Sequence, residues 1–196
     1  VVKKSKPGRR PGATNRVRII GGEWGGRRLD FPDAQGLRPT SDRVRETLFN
    51  WLQYEIHGCR VLDAFAGSGA LGFEAASRGA REVVMLERAR KVADTLQKNA
   101  TELHADNVRL LTVDALDYLS QADEPFDLVF LDPPFGQGLI EPILALLDSR
   151  GLLKPDAKIY IEFEASLSMP TLPEGWELVR DRIAGDVRYG LIERVQ

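Results

Sequence analysis

Val61-Leu62-Asp63-Ala64-Phe65-Ala66-Gly67-Ser68-Gly69-Ala70-Leu71-Gly72 reads as a buried strand that runs into a glycine turn and then a helix. Gly67, Gly69 and Gly72 satisfy the GxGxxG spacing, in which glycines permit a tight turn and a close approach of backbone to ligand. Outward from this stretch, apolar runs alternate with helix-period segments: strand 60–65, helix 70–78, strand 82–87, helix 89–103, strand 108–113, helix 115–120, strand 126–131, helix 139–150 and strand 157–163. Alternation of this kind implies right-handed crossovers and a parallel sheet. Trp176–Ile183 and Val187–Arg194 follow with only Ala184-Gly185-Asp186 between them, so an antiparallel hairpin should finish one edge. The expected fold is α/β and Rossmann-like, with a mostly parallel seven-stranded sheet.

The glycine pattern nominally predicts a dinucleotide, and two acids argue otherwise. Glu87 closes the strand after the loop, where a carboxylate can take both hydroxyls of a ribose, a feature common to NAD and S-adenosylmethionine. Asp63 stands at the mouth of the loop itself. A pyrophosphate placed there would meet a negative charge, whereas the ammonium end of a methionine moiety would be attracted. Ala64, Phe65, Gly67, Ser68 and Gly69 complete the candidate loop, with Arg88 beside Glu87. Asp114 ends a third strand and precedes Ala115, where its side chain or the adjacent amides could meet an adenine amine; an Asp before a helix is also an ordinary N-cap. Ligands in open α/β sheets sit outside the carboxyl ends of the strands, where Asp63, Glu87, Asp114 and Asp132 would gather.

Asp132-Pro133-Pro134-Phe135 follows the fourth apolar run directly. It pairs one acid with two rigid carbonyls and an aromatic face, a set suited to a planar amine. The exocyclic amine of a nucleobase is a poor nucleophile because its lone pair is delocalised into the ring. Asp132 and the Pro133 carbonyl can accept its two hydrogens and localise that pair, while Phe135 stacks on the ring. The prolines fix φ and bring no N–H to compete for the acid. Taken alone, the tetrapeptide also describes a turn that ends a strand.

At 196 residues the chain supports one sizeable α/β core, and 43% apolar with 29% charged residues describes a globular protein. A single Cys59 excludes an intramolecular disulfide and reads as a small core residue; His57 and His104 give no zinc-ligand spacing, so no metal is expected. No apolar stretch reaches membrane length and no signal-peptide core follows the basic start, which makes a cytoplasmic location the simplest expectation. Nothing in the pattern demands more than a monomer or an obligate protein partner.

The net charge of −2 hides a polarised distribution. Residues 1–45 carry 12 Lys and Arg against 4 acids, leaving 15 against 25 for the remainder. Lys3, Lys4, Lys6, Arg9, Arg10, Arg16 and Arg18 form an arm that could track phosphates, or a solvated tail; Pro7, Gly8, Pro11 and Gly12 keep it from forming a helix by itself, and it is expected to be disordered until bound. Arg16–Gly22 and Arg27–Phe31, joined by Glu23-Trp24-Gly25-Gly26, look like a short hairpin. It would group Trp24 with Arg27 and Arg28, an aromatic-guanidinium set that suits single-stranded RNA, although Trp24 could equally pack on the main domain. Ser41 is a plausible N-cap for a helix carrying Val44, Leu48, Trp51 and Leu52, with Arg43 on it as a further candidate RNA contact. The expected organisation is an arm at 1–15, a hairpin extension at 16–33 and a main domain at 34–196.

Together, the acidic loop at Asp63, Glu87, Asp114 and the Asp132–Phe135 sequence resemble a class I S-adenosylmethionine-dependent methyltransferase of the amino-methylating branch. Arg38-Pro39-Thr40-Ser41-Asp42-Arg43-Val44-Arg45-Glu46-Thr47-Leu48-Phe49-Asn50 is similar to the N-terminal signature of the bacterial RsmD family, which methylates guanine N2 in 16S ribosomal RNA. The resemblance runs from about Arg16 to the C-terminus. It implies cofactor contacts around Asp63–Gly69, at Glu87 and near Asp114, catalysis at Asp132–Phe135, and an approach of Arg38 and Thr40 to the cofactor or target base. The partner it implies is 16S rRNA, naked or in the assembled small subunit. Three other readings fit parts of the pattern: a DNA adenine-N6 methyltransferase, an NAD-dependent oxidoreductase, and a non-catalytic RNA-binding assembly factor.

Overall fold

A computed structural model describes residues 14–34, 37 and 39–195. Residues 1–13 of the basic arm, and Arg38, lie outside the described residues.

The main sheet contains β3 (Arg60–Asp63), β4 (Glu82–Leu86), β5 (Val108–Leu111), β6 (Phe126–Leu131), β7 (Leu153–Glu164), β8 (Trp176–Ala184) and β9 (Val187–Arg194), in the order β5-β4-β3-β6-β7-β9-β8. The first five of these positions are parallel, and β9 pairs antiparallel with both β7 and β8, as the Ala184-Gly185-Asp186 turn requires. The order reverses at β3, which has β4 on one side and β6 on the other. That reversal opens a crevice above the ends of β3 and β6.

Period-2 alternation divides the sheet residues between two cores. Val61, Met85, Phe130 and Tyr160 face α1 (Asp42–Trp51), α2 (Ala70–Ser77) and α3 (Arg90–Leu103). Leu62, Val84, Leu131 and Ile161 face α4 (Ala115–Gln121) and α5 (Ile140–Ser149). The structure is thus helix, sheet, helix in three layers.

Strand β7 begins at Leu153, before the expected position 157, and slips register between Phe126 and Leu128 of its neighbour. Pro155 accounts for the slip, because it cannot donate to the ladder and is accommodated at an irregularity.

The N-terminal hairpin pairs β1 (Thr14–Arg18) with β2 (Arg28–Pro32). Its first strand stops earlier than the sequence pattern suggests because the Ile20 and Gly21 amides turn away from the partner strand and donate to Glu74 on α2, at 2.7 and 2.8 Å. Val17, Ile19, Trp24, Leu29 and Phe31 join the same core as α1 to α3. Helix α2 is consequently buried on every side, between the sheet and the hairpin.

That sandwich encloses an ion cluster. The Arg45 side chain on α1 is fully buried and donates to the carbonyls of Arg18 (2.8 Å) and Thr40 (3.3 Å) and to Asp42 (2.6 Å), and lies 3.5 Å from Glu74. Glu74 also meets Arg78 at 2.8 Å. One guanidinium therefore ties together the hairpin, the segment before α1 and helix α2.

Candidate active site

The glycine loop after β3 is built as the sequence suggests, with one position tightly determined. Gly69 caps α2 at φ 78°, and a β-carbon there would sit 2.6 Å from the Phe73 ring and 2.8 Å from Leu96. Only glycine supplies both that conformation and that clearance. Gly69 does not line the cavity described below; its work is in the turn.

A cavity of about 870 Å³ opens at the strand-order reversal. Asp63, Ala64, Phe65, Gly67, Ser68, Glu87, Arg88, Asp114, Ala115, Thr40 and the whole Asp132–Phe135 segment line it. Apart from Gly69, and from Arg38 outside the described residues, the residues read from the sequence as cofactor-binding and those read as catalytic thus share one space. Leu37 and Pro39, on either side of Arg38, line it as well.

Each acid has a defined setting. Asp63 is 2% exposed and accepts from the Gly72 amide at 2.9 Å, so it braces the start of α2 as well as facing the cavity. Glu87 accepts from Gly67 N at 3.1 Å and Ala89 N at 2.7 Å, which clamps the glycine loop to the end of β4. Asp114 accepts from Leu116 N at 2.9 Å as the N-cap of α4 while still lining the cavity. Asp132 accepts from the Thr40 hydroxyl at 3.2 Å. Thr40 is therefore a partner of the acid at the end of β6.

Burial pushes the Asp63 carboxyl up from its ordinary 3.8 to about 7; the Gly72 and Phe65 amides oppose the rise and the Glu87 charge adds to it. The stability consequence has a definite sign. Between about pH 4 and 7 the folded chain holds a proton at Asp63 that the unfolded chain has lost, so the contribution of this one group to stability falls as pH rises through that window and is constant above it. In the ligand-free protein, the denaturant midpoint of Asp63→Asn should rise relative to that of the unmodified protein as pH increases across this range. An unaltered slope in the variant would mean that Asp63 is not the titrating group.

Asp132 is held well above the usual carboxylate range, first by burial and then by the charge of Glu162, with the Thr40 hydrogen bond opposing. Glu162 was not singled out in the sequence. It is 7% exposed, lines the cavity, and accepts from the Tyr160 hydroxyl at 2.8 Å. Leu131 and Ile161 are in register, so Asp132 and Glu162 stand one step further along neighbouring strands on the same face. Alternation could have found it: Ile159, Ile161 and Phe163 take one side of β7, leaving Tyr160 and Glu162 on the other.

Phe135 is 46% exposed at the cavity rim, as a ring that receives a stacked base would be. Trp24 corrects the sequence reading. At 8% exposure it is packed in the core, and its amide donates to Ser77 Oγ at 2.9 Å, so it presents no face to a base. The hairpin turn needed an apolar plug against α2, and Trp24 supplies it. Arg16, Arg18, Arg27, Arg28 and Arg43 are exposed, with Arg16 2.9 Å from Asp30 and Arg18 3.5 Å from Asp42. No helix among the described residues is long and apolar enough to cross a membrane.

Comparison with known proteins agrees with this architecture. Residues 17–193 match the family described as Conserved hypothetical protein 95. The chain is 48% identical over 181 residues to ribosomal RNA small subunit methyltransferase D of Escherichia coli strain K12, covering 92% of this chain and 91% of that protein. It is 46% identical over 187 residues to the protein of the same name from Haemophilus influenzae, covering 93% and 96%. Among solved structures, a putative methyltransferase from Escherichia coli (yhhF) superposes with a TM-score of 0.86 at 45% identity, covering 93% of this chain and 99% of that one.

Proposed function

Because the chain belongs to the RsmD family of methyltransferases, the Conserved hypothetical protein 95 family, we propose that it transfers a methyl group from S-adenosylmethionine to the exocyclic N2 of a guanine in 16S ribosomal RNA. The observation that carries this reading is the single cavity shared by the Asp63–Ser68 loop and the Asp132–Phe135 segment. Its volume of about 870 Å³ lies towards the upper end of ordinary ligand sites, which suits a cofactor and a base held together. Asp63, Glu87 and Asp114 fit a cationic nucleoside: Asp63 faces the charged end, Glu87 the ribose and Asp114 the adenine. The chemistry supplied by the bound donor is a methyl carbon made electrophilic by its sulfonium.

The protein's part is positioning, worth up to about 7–11 kcal/mol when the reacting atoms are aligned. Asp132 and the Pro133 carbonyl accept the two amine hydrogens and localise the nitrogen lone pair. The raised Asp132 pKa has a further use. An ordinary carboxylate is a weak base towards an amine, but one raised by burial and by Glu162 is better matched to the proton shed as nitrogen gains its methyl bond. The base reaches the cavity flipped from its stack, at lower cost from a loop than from a duplex.

Phe135→Ala should cost roughly 1–3 kcal/mol of base stacking, seen as weaker RNA positioning with unchanged cofactor affinity. A parallel loss of cofactor affinity would place the ring against adenine instead. Arg16, Arg18, Arg27, Arg28 and Arg43 supply exposed charge for phosphates, and Arg45 holds the Arg18 and Thr40 carbonyls together beside the cavity wall.

The deciding experiment supplies methyl-labelled cofactor with free small-subunit RNA, assembled small subunits or DNA, and maps the modified base. Label on a guanine N2 of the ribosomal substrate is expected. Label on DNA adenine, or binding without turnover, would replace this reading with one of its rivals.

A further inference from the structure

Asp132 serves the proposed reaction as an acceptor, and most of its surroundings press it the other way. Burial, the Glu162 charge on β7 and the Asp63 charge on β3 all favour its protonated form, and the Tyr160 phenol on β7 feels the same Asp132 and Glu162 charges. A protonated acid would offer the incoming amine an O–H where an acceptor is needed. The Thr40 hydroxyl opposes this, because it donates to Asp132 Oδ2 at 3.2 Å and a hydrogen bond donated to a carboxylate favours the charged form.

Thr40 is well anchored for such a task. Pro39 fixes φ just before it, Ser41 just after it caps α1 by accepting from Val44 N at 3.4 Å, and the fully buried Arg45 guanidinium donates to the Thr40 carbonyl at 3.3 Å. The Thr40 side chain is buried, lines the cavity and is β-branched, so its χ1 has little freedom.

We propose that Thr40 is a positioning residue for methyl transfer: its hydroxyl holds Oδ2 of Asp132 and thereby presents the ionised acid, through Oδ1, to the amine of the target base. The inference rests on the reading of Asp132 as the amine acceptor. It gives Thr40 a protein partner in place of the cofactor or base contact that the sequence resemblance implies. Glu162 and Thr40 then set the acid from opposite directions. The first makes it a better proton acceptor, and the second keeps it ionised until the amine sheds its proton.

The test follows single-turnover methylation of small subunits by the full chain, at saturating cofactor, across a range of pH. In the unmodified protein the rate should climb an acid limb as Asp132 ionises and then level off, whereas Asp132→Asn should be slow and lack that limb. Thr40→Val keeps the shape and removes the donor. Its rate at neutral pH should fall about 10- to 100-fold, its limb should move to higher pH, and raising the pH should recover part of the loss. Thr40→Ser restores the donor and should return both the limb and most of the rate. Cofactor affinity should stay within a few-fold in each Thr40 variant. Should Thr40→Val fail to fold, Thr40→Ala makes the same comparison.

A loss in Thr40→Val that is equal at every pH, with the limb unmoved, would make Thr40 a packing residue and overturn the proposal. A loss confined to cofactor affinity would overturn it too, by placing the hydroxyl against the methyl donor. A limb that survives in Asp132→Asn would belong to another group, and would remove the reading of Asp132 along with the proposal built on it.

Discussion

Asp132→Ala is expected to lower kcat for methyl transfer by roughly 10²- to 10³-fold while cofactor Kd stays within a few-fold of its original value. The acid meets the Thr40 hydroxyl and the charge of Glu162, and its proposed work is on the incoming amine. Removing it leaves the nitrogen lone pair delocalised and gives the departing proton no nearby acceptor. Asp132→Asn is the sharper comparison, since it keeps the shape and loses the basicity. Single-turnover rates at saturating cofactor, set beside calorimetric cofactor binding, separate the two effects. Near-normal turnover in Asp132→Ala would take this residue out of the mechanism.

The second large effect is on stability. Arg45→Met should cost up to about 3–5 kcal/mol, because the fully buried Glu74 loses the Arg45 guanidinium across the α1–α2 contact and keeps Arg78 as a partner. Loss of the donors to the Arg18 and Thr40 carbonyls adds to the cost. Adding Glu74→Gln to Arg45→Met should recover part of the loss, since the amide oxygen can still accept from a backbone N–H, the buried carboxylate is gone, and the Arg78 cation left behind is partly exposed to water. Denaturant unfolding of the single and double variants measures both. A loss below about 1 kcal/mol in Arg45→Met would mean that water or Arg78 compensates Glu74 unaided.

The alternating architecture was legible because each parallel strand is a short apolar run with a turn after it; handedness sets the sense of each crossover, while the strand order with its reversal at β3 comes from the structure. Four of the acids were legible for the same reason: each stands just past such a run, where an open sheet places its ligands. Glu162 obeys that rule too, yet it lies inside β7 with apolar residues on both sides, so the apolar pattern around it concealed the position. Trp24 misled because a tryptophan next to glycines and arginines has the composition of a base-stacking surface, and only the packing of the hairpin onto α2 shows where the ring goes. The Arg45–Glu74 pair was invisible for a related reason. Spaced 29 positions apart on two different helices, the two charges look like ordinary solvated residues until the helices are brought together.

Helix α2 has no face left for solvent, and the hairpin is what closes its outer side. The N-terminal extension therefore belongs to the core of this chain and is no accessory to it. Cutting it away would bare an apolar helix and a carboxylate together, on the very segment that shapes the glycine turn. Any change made to the hairpin will also be written into the floor of the pocket, because Ala70 and Leu71 of the helix it covers line that floor.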